Sequence, residues 1–301
     1  KDIIFFDLNP VKGHEQGGKR PAIVLSSNSF NKLTNMVIVC PITSNTKQFP
    51  SHYELQNTKK INGSVLCEHV RSIDINERKV SFIEKVNDIT YTMLNYTYGT
   101  NGIQIPYGKD YLVNIWPVTG SNPDTDTSYQ KYKEQIKEDI ERVRDKVDVL
   151  IVAMHWGIEY DDSPNSYQLD AAKYLSSLGV DIIIGTHPHV IQPVDYINDT
   201  LVIYSLGNFA SAHEVVNLSN RVGLMTSLEI EKDTKTNKIT INNLENELLY
   251  MYYTSNYQDF KIVPFSKINT DYLSNYKEVY DKYKNVVTSL NKNILVKELG
   301  D

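Results

Sequence analysis

The sequence predicts a mixed chain in which an all-β segment over residues 1–87 is followed by an α/β segment over residues 88–301. The first 87 residues contain short apolar runs at regular spacing without a helical stripe, a pattern typical of a small barrel or sandwich. After residue 87, amphipathic stretches alternate with continuous apolar runs, which indicates an α/β layer. The length of 301 residues also favours two domains.

Charge and composition narrow the classes of protein. Residues 1–87 hold 12 Lys and Arg against 8 Asp and Glu, whereas residues 88–301 hold 19 against 29, so only the first segment suits an anionic partner such as nucleic acid. No apolar run reaches the ~18 residues of a membrane helix, and no signal peptide is visible. We therefore expect a cytoplasmic chain without a membrane segment. Cys40 and Cys67 lie in apolar runs without zinc spacing, so we expect reduced core residues.

The predicted strands of the first segment follow one another between turn residues. They cover residues 2–7, 22–26, 36–41, 52–55, 64–68 and 80–83. Gly17 and Gly18 precede the second strand, and glycine tolerates positive φ and a close approach of the backbone to a ligand. We interpret this stretch as a loop that ends at Pro21 and presents Arg20 at a rigid strand edge.

The second segment predicts alternating strands and helices. A capping box from Thr127 to Gln130 begins the first helix, and Gly179 ends the second. In chain order the predicted elements are strands over 89–96 and 111–116, a helix over 127–146, a strand over 149–154, a helix over 167–178, strands over 180–184, 190–197 and 201–204, a hairpin of strands over 224–231 and 239–244, and a helix near the C-terminal end.

Polar side chains of the first segment indicate chemistry on phosphate. Arg20 follows the glycine loop, and Thr43 and Ser44 end a buried strand. His69 and Arg71 are two residues apart, which would place both on one strand face. Arginine binds phosphate through two parallel donors and stays charged at any working pH. Two arginines and a hydroxyl can bind a phosphodiester and stabilise the charge that builds during in-line attack, with the 2′-hydroxyl of RNA as nucleophile.

This segment resembles the MazF/PemK family of toxin endoribonucleases over nearly all of residues 1–85. The resemblance rests on residues 9–26 (NPVKGHEQGGKRPAIVLS), 41–44 (PITS) and 66–74 (LCEHVRSID). It implies a compact SH3-like β-barrel that dimerises, cleaves single-stranded RNA at short sequences without a metal and leaves a cyclic phosphate. It also implies a MazE-like antitoxin that neutralises the chain.

The resemblance implies roles for individual residues. The family residue that matches Arg20 is the main catalytic group, the one that matches Thr43 assists it, and the one that matches Arg71 contributes in some members. A guanidinium is a poor general base, so we expect Arg20 to stabilise the phosphorane and to donate a proton to the leaving oxygen. His69, where the family more often has glutamine, is a candidate base. The residues predicted to bind RNA are Gly17, Gly18, Lys19, Ser44 and His69.

Three histidines of the second segment follow predicted strands. His155 comes directly after the run 149–154, and His187 and His189 follow the run 180–184. The C-terminal ends of adjacent parallel strands meet in one crevice, and histidines two apart in an extended chain face the same way. The pattern therefore predicts a divalent-metal site.

This part of the chain resembles the CapA family, which is linked to poly-γ-glutamate capsule synthesis and is similar to calcineurin-like metallophosphoesterases. The resemblance rests on residues 95–102, 155–160, 185–193 and 204–209. It implies a partial α/β metallophosphoesterase-like domain whose metal motifs map onto His155, His187 and His189. The Asp-x-His, Gly-Asp and Gly-Asn-His motifs of that superfamily do not precede His155. Without the bridging aspartate the clamp on the reacting oxygens is lost, so we expect an inactive half with weak metal affinity.

These patterns predict a fusion of a MazF-like endoribonuclease barrel, residues 1–87, with the C-terminal part of a CapA-like domain, residues 88–301. Two other functions stay open: a metal-dependent hydrolase of capsule polymer metabolism, and an inactive module that binds RNA or antitoxin. The expected partners are single-stranded RNA, an antitoxin and a second copy of the chain, and not DNA. The ribonuclease is expected to need no cofactor, whereas the CapA-like part would take a divalent metal.

Overall fold

The chain separates into two compact units in a computed structural model, which describes residues 3–8, 18–27, 30–31, 36–44, 51–55, 63–74, 81–107, 113–211 and 217–300. The first unit comprises Lys1–Met93, Ile105–Val113 and Lys146–Asp148. The second comprises Leu94–Gln104, Asn114–Asp145 and Val149–Asp301. The turn at Asn87 and Asp88 lies inside the first unit, where both residues adopt positive φ (47° and 68°) as a tight hairpin turn requires.

The first unit is built from antiparallel strands. These are β1 (Ile3–Asp7), β2 (Lys19–Val24), β3 (Met36–Thr43), β4 (His52–Glu54), β5 (Ser64–Leu66), β6 (Arg71–Asp74), β7 (Ser81–Val86) and the start of β8 (Ile89–Thr97). β1 pairs with β2 and β7, and β3 pairs with β2, β5 and β6. β4 pairs with β5, and β7 with β8. All six strands predicted before residue 87 are present, and β6 is an addition.

β3 carries apolar side chains on both of its faces. Val37 and Val39 belong to the main core cluster of the unit, which also contains Ile4, Phe6, Leu8, Ala22, Val24 and Ile73. Cys40 and Ile42 point the other way and pack with Val65. Side chains alternate between the two faces of a strand, and β3 is apolar on both faces. It therefore lies between two core clusters, and its pairing register determines which residues enter each cluster.

Three predictions for this unit are wrong in detail. Lys19 to Pro21 belong to β2 and not to a loop, because Pro21 lies opposite Phe5 in the register with β1. The predicted strand over 64–68 ends at Leu66 and gives way to a 3-10 turn over Cys67–His69. Cys67 is therefore exposed and not part of the core, while Cys40 is buried, and the two cysteines are not joined by a disulfide.

The second unit contains a mostly parallel sheet with helices. Its elements are α1 (Thr127–Arg144), β9 (Val149–His155), α2 (Ser166–Ser177), β10 (Ile182–Thr186), β11 (Val194–Ile197) and β12 (Thr200–Ile203). β10 lies between β9 and β12, parallel to both, and β11 pairs antiparallel with β12. A second, antiparallel sheet consists of β13 (Val222–Lys232), β14 (Ile239–Tyr252) and β15 (Lys261–Pro264), and α3 (Tyr276–Val287) follows.

The helices confirm the apolar stripes of the sequence, with corrected ends. The stripe of α1 buries Tyr129, Ile136, Ile140 and Val143. Its N-cap is Asp126, one residue before the predicted box, and the carboxylate accepts from the Tyr129 N–H at 3.0 Å. None of the helices in the described part of the chain has the length and apolar character to span a membrane.

The strand predicted over 111–116 is wrong where the structure describes it. Residues 111–112 lie outside the described part, and residues 113–116 form no strand. Ile115 makes a single parallel bridge to Thr97, and Trp116 donates its backbone N–H to the Thr97 carbonyl. An aromatic and β-branched composition produced a strand pattern here, but only Ile115 pairs with the end of β8, so the segment adds no strand to a sheet.

Candidate functional site

Arg20, Thr43 and Arg71 lie on the face of the first unit's strands that carries its main core. Arg20 is opposite Phe6 in the register of β1 and β2, and Arg71 is opposite Val39 in the register of β3 and β6. Directly opposed residues of an antiparallel pair point to the same face, and both partners belong to the main core cluster. Thr43 lies four residues after Val39 on β3, so it shares that face. The arrangement follows from strand register and not from a loop.

Arg71 reaches across the unit to the end of β1. Its Nη1 donates to the Leu8 carbonyl at 3.4 Å, and the Leu8 N–H donates to the Gly18 carbonyl at 3.2 Å. The guanidinium of Arg71 thus lies beside the strand end that adjoins Gly18. This places it next to the start of β2, the strand that carries Arg20.

The position of Thr43 depends on a close backbone approach. Thr43 pairs with Ser64 at the start of β5, and the preceding residue, Gly63, has φ +145°. A Cβ at Gly63 would lie 2.1 Å from the Thr43 carbonyl oxygen, far inside van der Waals contact. Glycine at this position is therefore required for β5 to pack against the end of β3.

The residues predicted to bind RNA are placed less uniformly. Lys19 and Ser44 are exposed, and Gly18 has φ +78°. His69 is half-buried in the 3-10 turn. The prediction that His69 and Arg71 share one strand face is wrong, because the turn ends at His69 and β6 begins only at Arg71. Gly17 lies outside the described residues.

A hydrogen-bonded cluster beside Arg71 was not predicted. The Glu68 carboxylate accepts from Ser51 Oγ at 2.6 Å and contacts His52 Nε2 at 2.9 Å. Burial opposes ionisation of Glu68, but the hydrogen bonds from Ser51, from the Glu68 backbone and from His52 lower its pKa below the usual value. The cluster ties β4 to the turn before Arg71. Its members are 16 and 17 residues apart in the chain, so no local spacing announces it.

The three histidines of the second unit lie close together. His155 ends β9 and pairs in register with Thr186, so His187 follows at the same edge of the sheet. The ring centroids of His155 and His187 are 4.6 Å apart, and those of His187 and His189 are 6.2 Å apart. The predicted convergence of the three histidines is confirmed. The expectation that an extended chain makes His187 and His189 face the same way is wrong. His187 and His189 have φ of 98° and 60°, so the chain between them is not extended.

The hydrogen bonds of two rings define their tautomers. The Thr97 hydroxyl donates to the Gly99 carbonyl at 2.8 Å, so it must accept from His155 Nδ1 at 2.9 Å. Asn208 donates its amide N–H to the Asn220 carbonyl, so its Oδ1 accepts from His189 Nδ1, also at 2.9 Å. Neutral His155 and His189 therefore each carry the proton on Nδ1 and the lone pair on Nε2.

Burial and neighbouring rings disfavour the charged form of His155 and His187. Tyr98 lies against both His155 and His187, with centroid distances of 5.5 and 4.6 Å. Burial, followed by repulsion from His189, lowers the pKa of His155, and burial, followed by repulsion from His155, lowers the pKa of His187. Lone pairs on Nε2 with Nδ1 held by a partner are the pattern of metal-ligating histidines.

The three histidines fit a metal ion in the type of their donor atoms but not in their arrangement. Imidazole nitrogen suits divalent transition metals. Over the residues that the structure describes, however, no group of three or more His, Cys, Asp or Glu side chains is arranged to hold an ion. The divalent metal expected here stays a prediction.

Two families match the sequence, each over one part of it. Residues 1–97 match the PemK-like, MazF-like toxin of type II toxin-antitoxin systems. Residues 72–213 match the bacterial capsule synthesis protein PGA_cap. The two matches overlap over residues 72–97, and the predicted boundary at residue 87 falls inside this overlap.

Individual relatives divide in the same way. The PGA biosynthesis protein CapA of Bacillus subtilis is 28% identical over 212 residues, which are 67% of this chain and 50% of that protein. The capsule biosynthesis protein CapA of Bacillus anthracis is 41% identical over 76 residues, 25% of this chain and 18% of that protein. The chain thus spans half or less of these CapA relatives. The endoribonuclease MazF of Staphylococcus epidermidis is 30% identical over 112 residues, 32% of this chain and 93% of that protein.

Solved structures of MazF proteins also match the first part of the chain. MazF of Deinococcus radiodurans is 38% identical, with a TM-score of 0.25, and the match covers 26% of this chain and 72% of that one. The family match over residues 1–97 includes Arg20, Thr43 and Arg71. Through its first 97 residues the chain belongs to the MazF/PemK-like toxin family, and it continues into a CapA-like segment.

Proposed function

We propose that the chain is a sequence-specific, metal-independent endoribonuclease of a toxin-antitoxin system that cleaves single-stranded RNA. The observation that carries this proposal is the placement of Arg20, Thr43 and Arg71 on one face of the first unit. MazF relatives that are named endoribonucleases support it.

In the proposed reaction the 2′-hydroxyl attacks the adjacent phosphorus. A bond forms from the 2′-oxygen to phosphorus, the bond from phosphorus to the 5′-oxygen breaks, and a 2′,3′-cyclic phosphate remains. Arg20 stabilises the charge on the phosphorane and gives a proton to the 5′-oxygen, while Thr43 and Arg71 bind the phosphate oxygens. His69 would accept the proton of the 2′-hydroxyl. Because RNA supplies the nucleophile, no metal is needed to generate one.

The same proposal extends to fold, partners and location. Residues 1–87 would form an SH3-like barrel that dimerises, and residues 88–301 the C-terminal part of a metallophosphoesterase-like domain. Gly17, Gly18, Lys19 and Ser44 would contact RNA. In Deinococcus radiodurans, MazF has been solved together with MazE. By analogy we propose a MazE-like antitoxin as the partner of this chain, and we propose a cytoplasmic location.

RNA cleavage in a chelator tests the proposal. The purified chain would be incubated with a long single-stranded RNA in EDTA, and cut sites would be mapped by primer extension. We expect cuts at a recurring short sequence, with a cyclic phosphate at each 3′ end, and no cut where the nucleotide 5′ to the scissile phosphate is replaced by its 2′-deoxy form. Cleavage that requires added metal, or no cleavage by folded protein, would overturn it.

A second proposal concerns the histidine cluster of the second unit. We infer that His155, His187 and His189 bind one divalent transition-metal ion weakly, because Nε2 of His155 and of His189 carries a lone pair while Nδ1 is held. Such an ion would supply Lewis acidity. Calorimetric titration with Zn²⁺ should give a binding heat that His155→Ala abolishes and that His52→Ala, in the first unit, leaves unchanged. Equal binding by all three proteins would contradict this assignment.

A further inference from the structure

The second unit contains a cavity of about 330 Å³ that borders the histidine cluster at Tyr98, whose ring lies against His155 and His187. Its wall includes five aromatic side chains, those of Tyr98, Trp116, Tyr129, Trp156 and Tyr167. A cavity of this size with aromatic walls is typical of a site for a small organic molecule. Residues at the C-terminal end of β9 and at the N-terminal end of α2 line it, so the cavity lies beside these two ends.

The aromatic walls are held in place by contacts with one another and with the backbone. Trp116 stacks on Tyr129 at 4.9 Å between centroids, and Tyr129 meets Tyr167 edge to face at 5.0 Å. The indole N–H of Trp116 donates to the Tyr129 carbonyl, and that of Trp156 donates to the Tyr204 carbonyl at 2.9 Å. Both indoles have thus satisfied their donors, and their rings border the empty space as apolar surfaces.

The polar groups of the lining are few. None of the described residues that line the cavity is Asp, Glu, Lys, Arg or His. Gln168 lines it, but its Nε2 donates to Gln192 Oε1 at 2.7 Å and its Oε1 accepts from the Asn165 N–H at 3.0 Å. The remaining polar side chains are Asn165, Ser121, Ser166 and the three tyrosines. The hydroxyls of Tyr98, Tyr129 and Tyr167 already donate to the side chains of Asn101, Asp170 and Asp126.

We propose that this cavity binds a neutral, flat heteroaromatic ring, namely a nucleobase. Such a ring buries two faces that stack on aromatic side chains, and only its edge needs hydrogen-bond partners. A sugar would bury several hydroxyls against a lining with few partners, which is costly. The carboxylates of a glutamate polymer would meet no cation there, which is costlier still.

The base could come from a free nucleoside or from an unstacked base of a single strand. Both present the same ring, so the lining alone is compatible with either source. The inference does not depend on RNA cleavage, because the cavity belongs wholly to the second unit. A failure of the proposed nuclease activity would leave it untouched.

Intrinsic fluorescence reports on this cavity directly. The chain has two tryptophans, Trp116 and Trp156, and both line it. The full chain would be titrated with adenosine, with uridine and with a short 2′-deoxy oligonucleotide, which carries bases but cannot be cleaved through a 2′-hydroxyl. Glucose and glutamate serve as comparison ligands. We expect saturable quenching by adenosine, the larger ring, with weaker quenching by uridine. Quenching by the oligonucleotide at lower concentration than adenosine would identify the strand as the source.

Matched variants locate the binding. Ala171 is buried on α2 and lines the cavity, whereas Lys173 on the same helix is exposed. Ala171→Met should weaken adenosine binding at least about tenfold by filling the space, and Lys173→Met should leave it unchanged. If Ala171→Met fails to fold, Tyr98→Leu removes one half-buried wall and should weaken binding about fivefold or more. Absence of quenching at millimolar nucleoside, equal binding by all variants, or saturable quenching only by glucose or glutamate would overturn the proposal.

Discussion

The two units place reactive side chains in different ways. In the first unit Arg20, Thr43 and Arg71 continue the rows of core residues along β2, β3 and β6, so strand register sets their positions. In the second unit His187 and His189 lie beyond the end of β10, where positive φ and ring contacts set them. Register-based sites are sensitive to anything that shifts a strand, whereas sites at strand ends are sensitive to their immediate neighbours.

The largest expected effects come from glycines that hold each arrangement. Gly63→Ala would bring a Cβ to 2.1 Å from the Thr43 carbonyl, and Gly185→Ala to 1.9 Å from the Tyr204 carbonyl. Because backbone atoms must move in both cases, we expect a loss of about 3 kcal/mol or more in the free energy of unfolding. Urea unfolding followed by circular dichroism measures it.

Gly18→Ala is the control for these substitutions. A Cβ at Gly18 meets no atom of the described residues within 4 Å, although φ is +78°, so only backbone strain of about 1 kcal/mol is expected. Equal losses for Gly18→Ala and Gly63→Ala would show that steric contact with β3 is not what makes Gly63 necessary.

A smaller effect, on activity alone, is expected at Thr43. Thr43→Val keeps the shape of the side chain and removes its hydroxyl, so RNA cleavage should fall about ten- to 100-fold as one hydrogen bond to the phosphate is lost. The melting temperature should stay close to that of the parent chain. Single-turnover cleavage and thermal unfolding separate the two, and a parallel loss of stability would assign Thr43 a structural role instead.

The histidine cluster should make stability depend on pH. Burial lowers the pKa of His155 and His187 in the folded chain, so the unfolded chain takes up protons at these rings at higher pH. The contribution of these two rings to the free energy of unfolding is therefore fully present above the ordinary histidine pKa of about 6.5, and it is lost as the pH falls below that pKa. Replacing both residues with glutamine should reduce the loss of unfolding free energy between pH 7.5 and 5.5, values about one unit to either side of 6.5.

His52→Gln supplies the comparison for the pH experiment. It removes a histidine of the first unit that contacts Glu68 and leaves the cluster intact. A pH response that His52→Gln reduces, and that the double variant does not, would place its origin outside the cluster.

The smallest effect is expected for an exposed ion pair. Lys85 Nζ lies 2.9 Å from Asp88 Oδ1 beside the turn between β7 and β8, and both side chains are partly exposed. Lys85→Ala should change the free energy of unfolding by no more than about 0.5 kcal/mol. A larger change in the free energy of unfolding, measured with urea, would mean that Lys85 stabilises the first unit by more than its ion pair with Asp88.

Sequence reasoning recovered most elements whose pattern is periodic. The stripe of α1 and the run of β9 are visible because apolar residues recur every three to four positions along the helix and fill Val149 to Met154 of the strand. The register that aligns Arg20 with Phe6 was not visible, since Pro21 looked like the end of a loop. Proline is tolerated where its missing N–H faces away from a partner, and only the paired strands reveal that.

The two candidate sites could be predicted from the sequence only in part, because some of their contacts have no local pattern. The convergence of the histidines follows from parallel strand ends, which a sequence can predict. The 3-10 turn that separates His69 from Arg71 interrupts a period of two, and the Glu68 cluster joins residues far apart in the chain. Contacts of this kind depend on tertiary packing, which no local pattern encodes.

Cleavage of one RNA by two variants tests the central claim most directly. Arg20→Ala and His155→Ala would be compared with the parent chain in EDTA, each as folded protein. If the first unit carries the chemistry, Arg20→Ala should lose cleavage by about 100-fold or more, and His155→Ala should cut at the same sites at the parent rate. Retained cleavage in Arg20→Ala, or its loss in His155→Ala, would contradict the account.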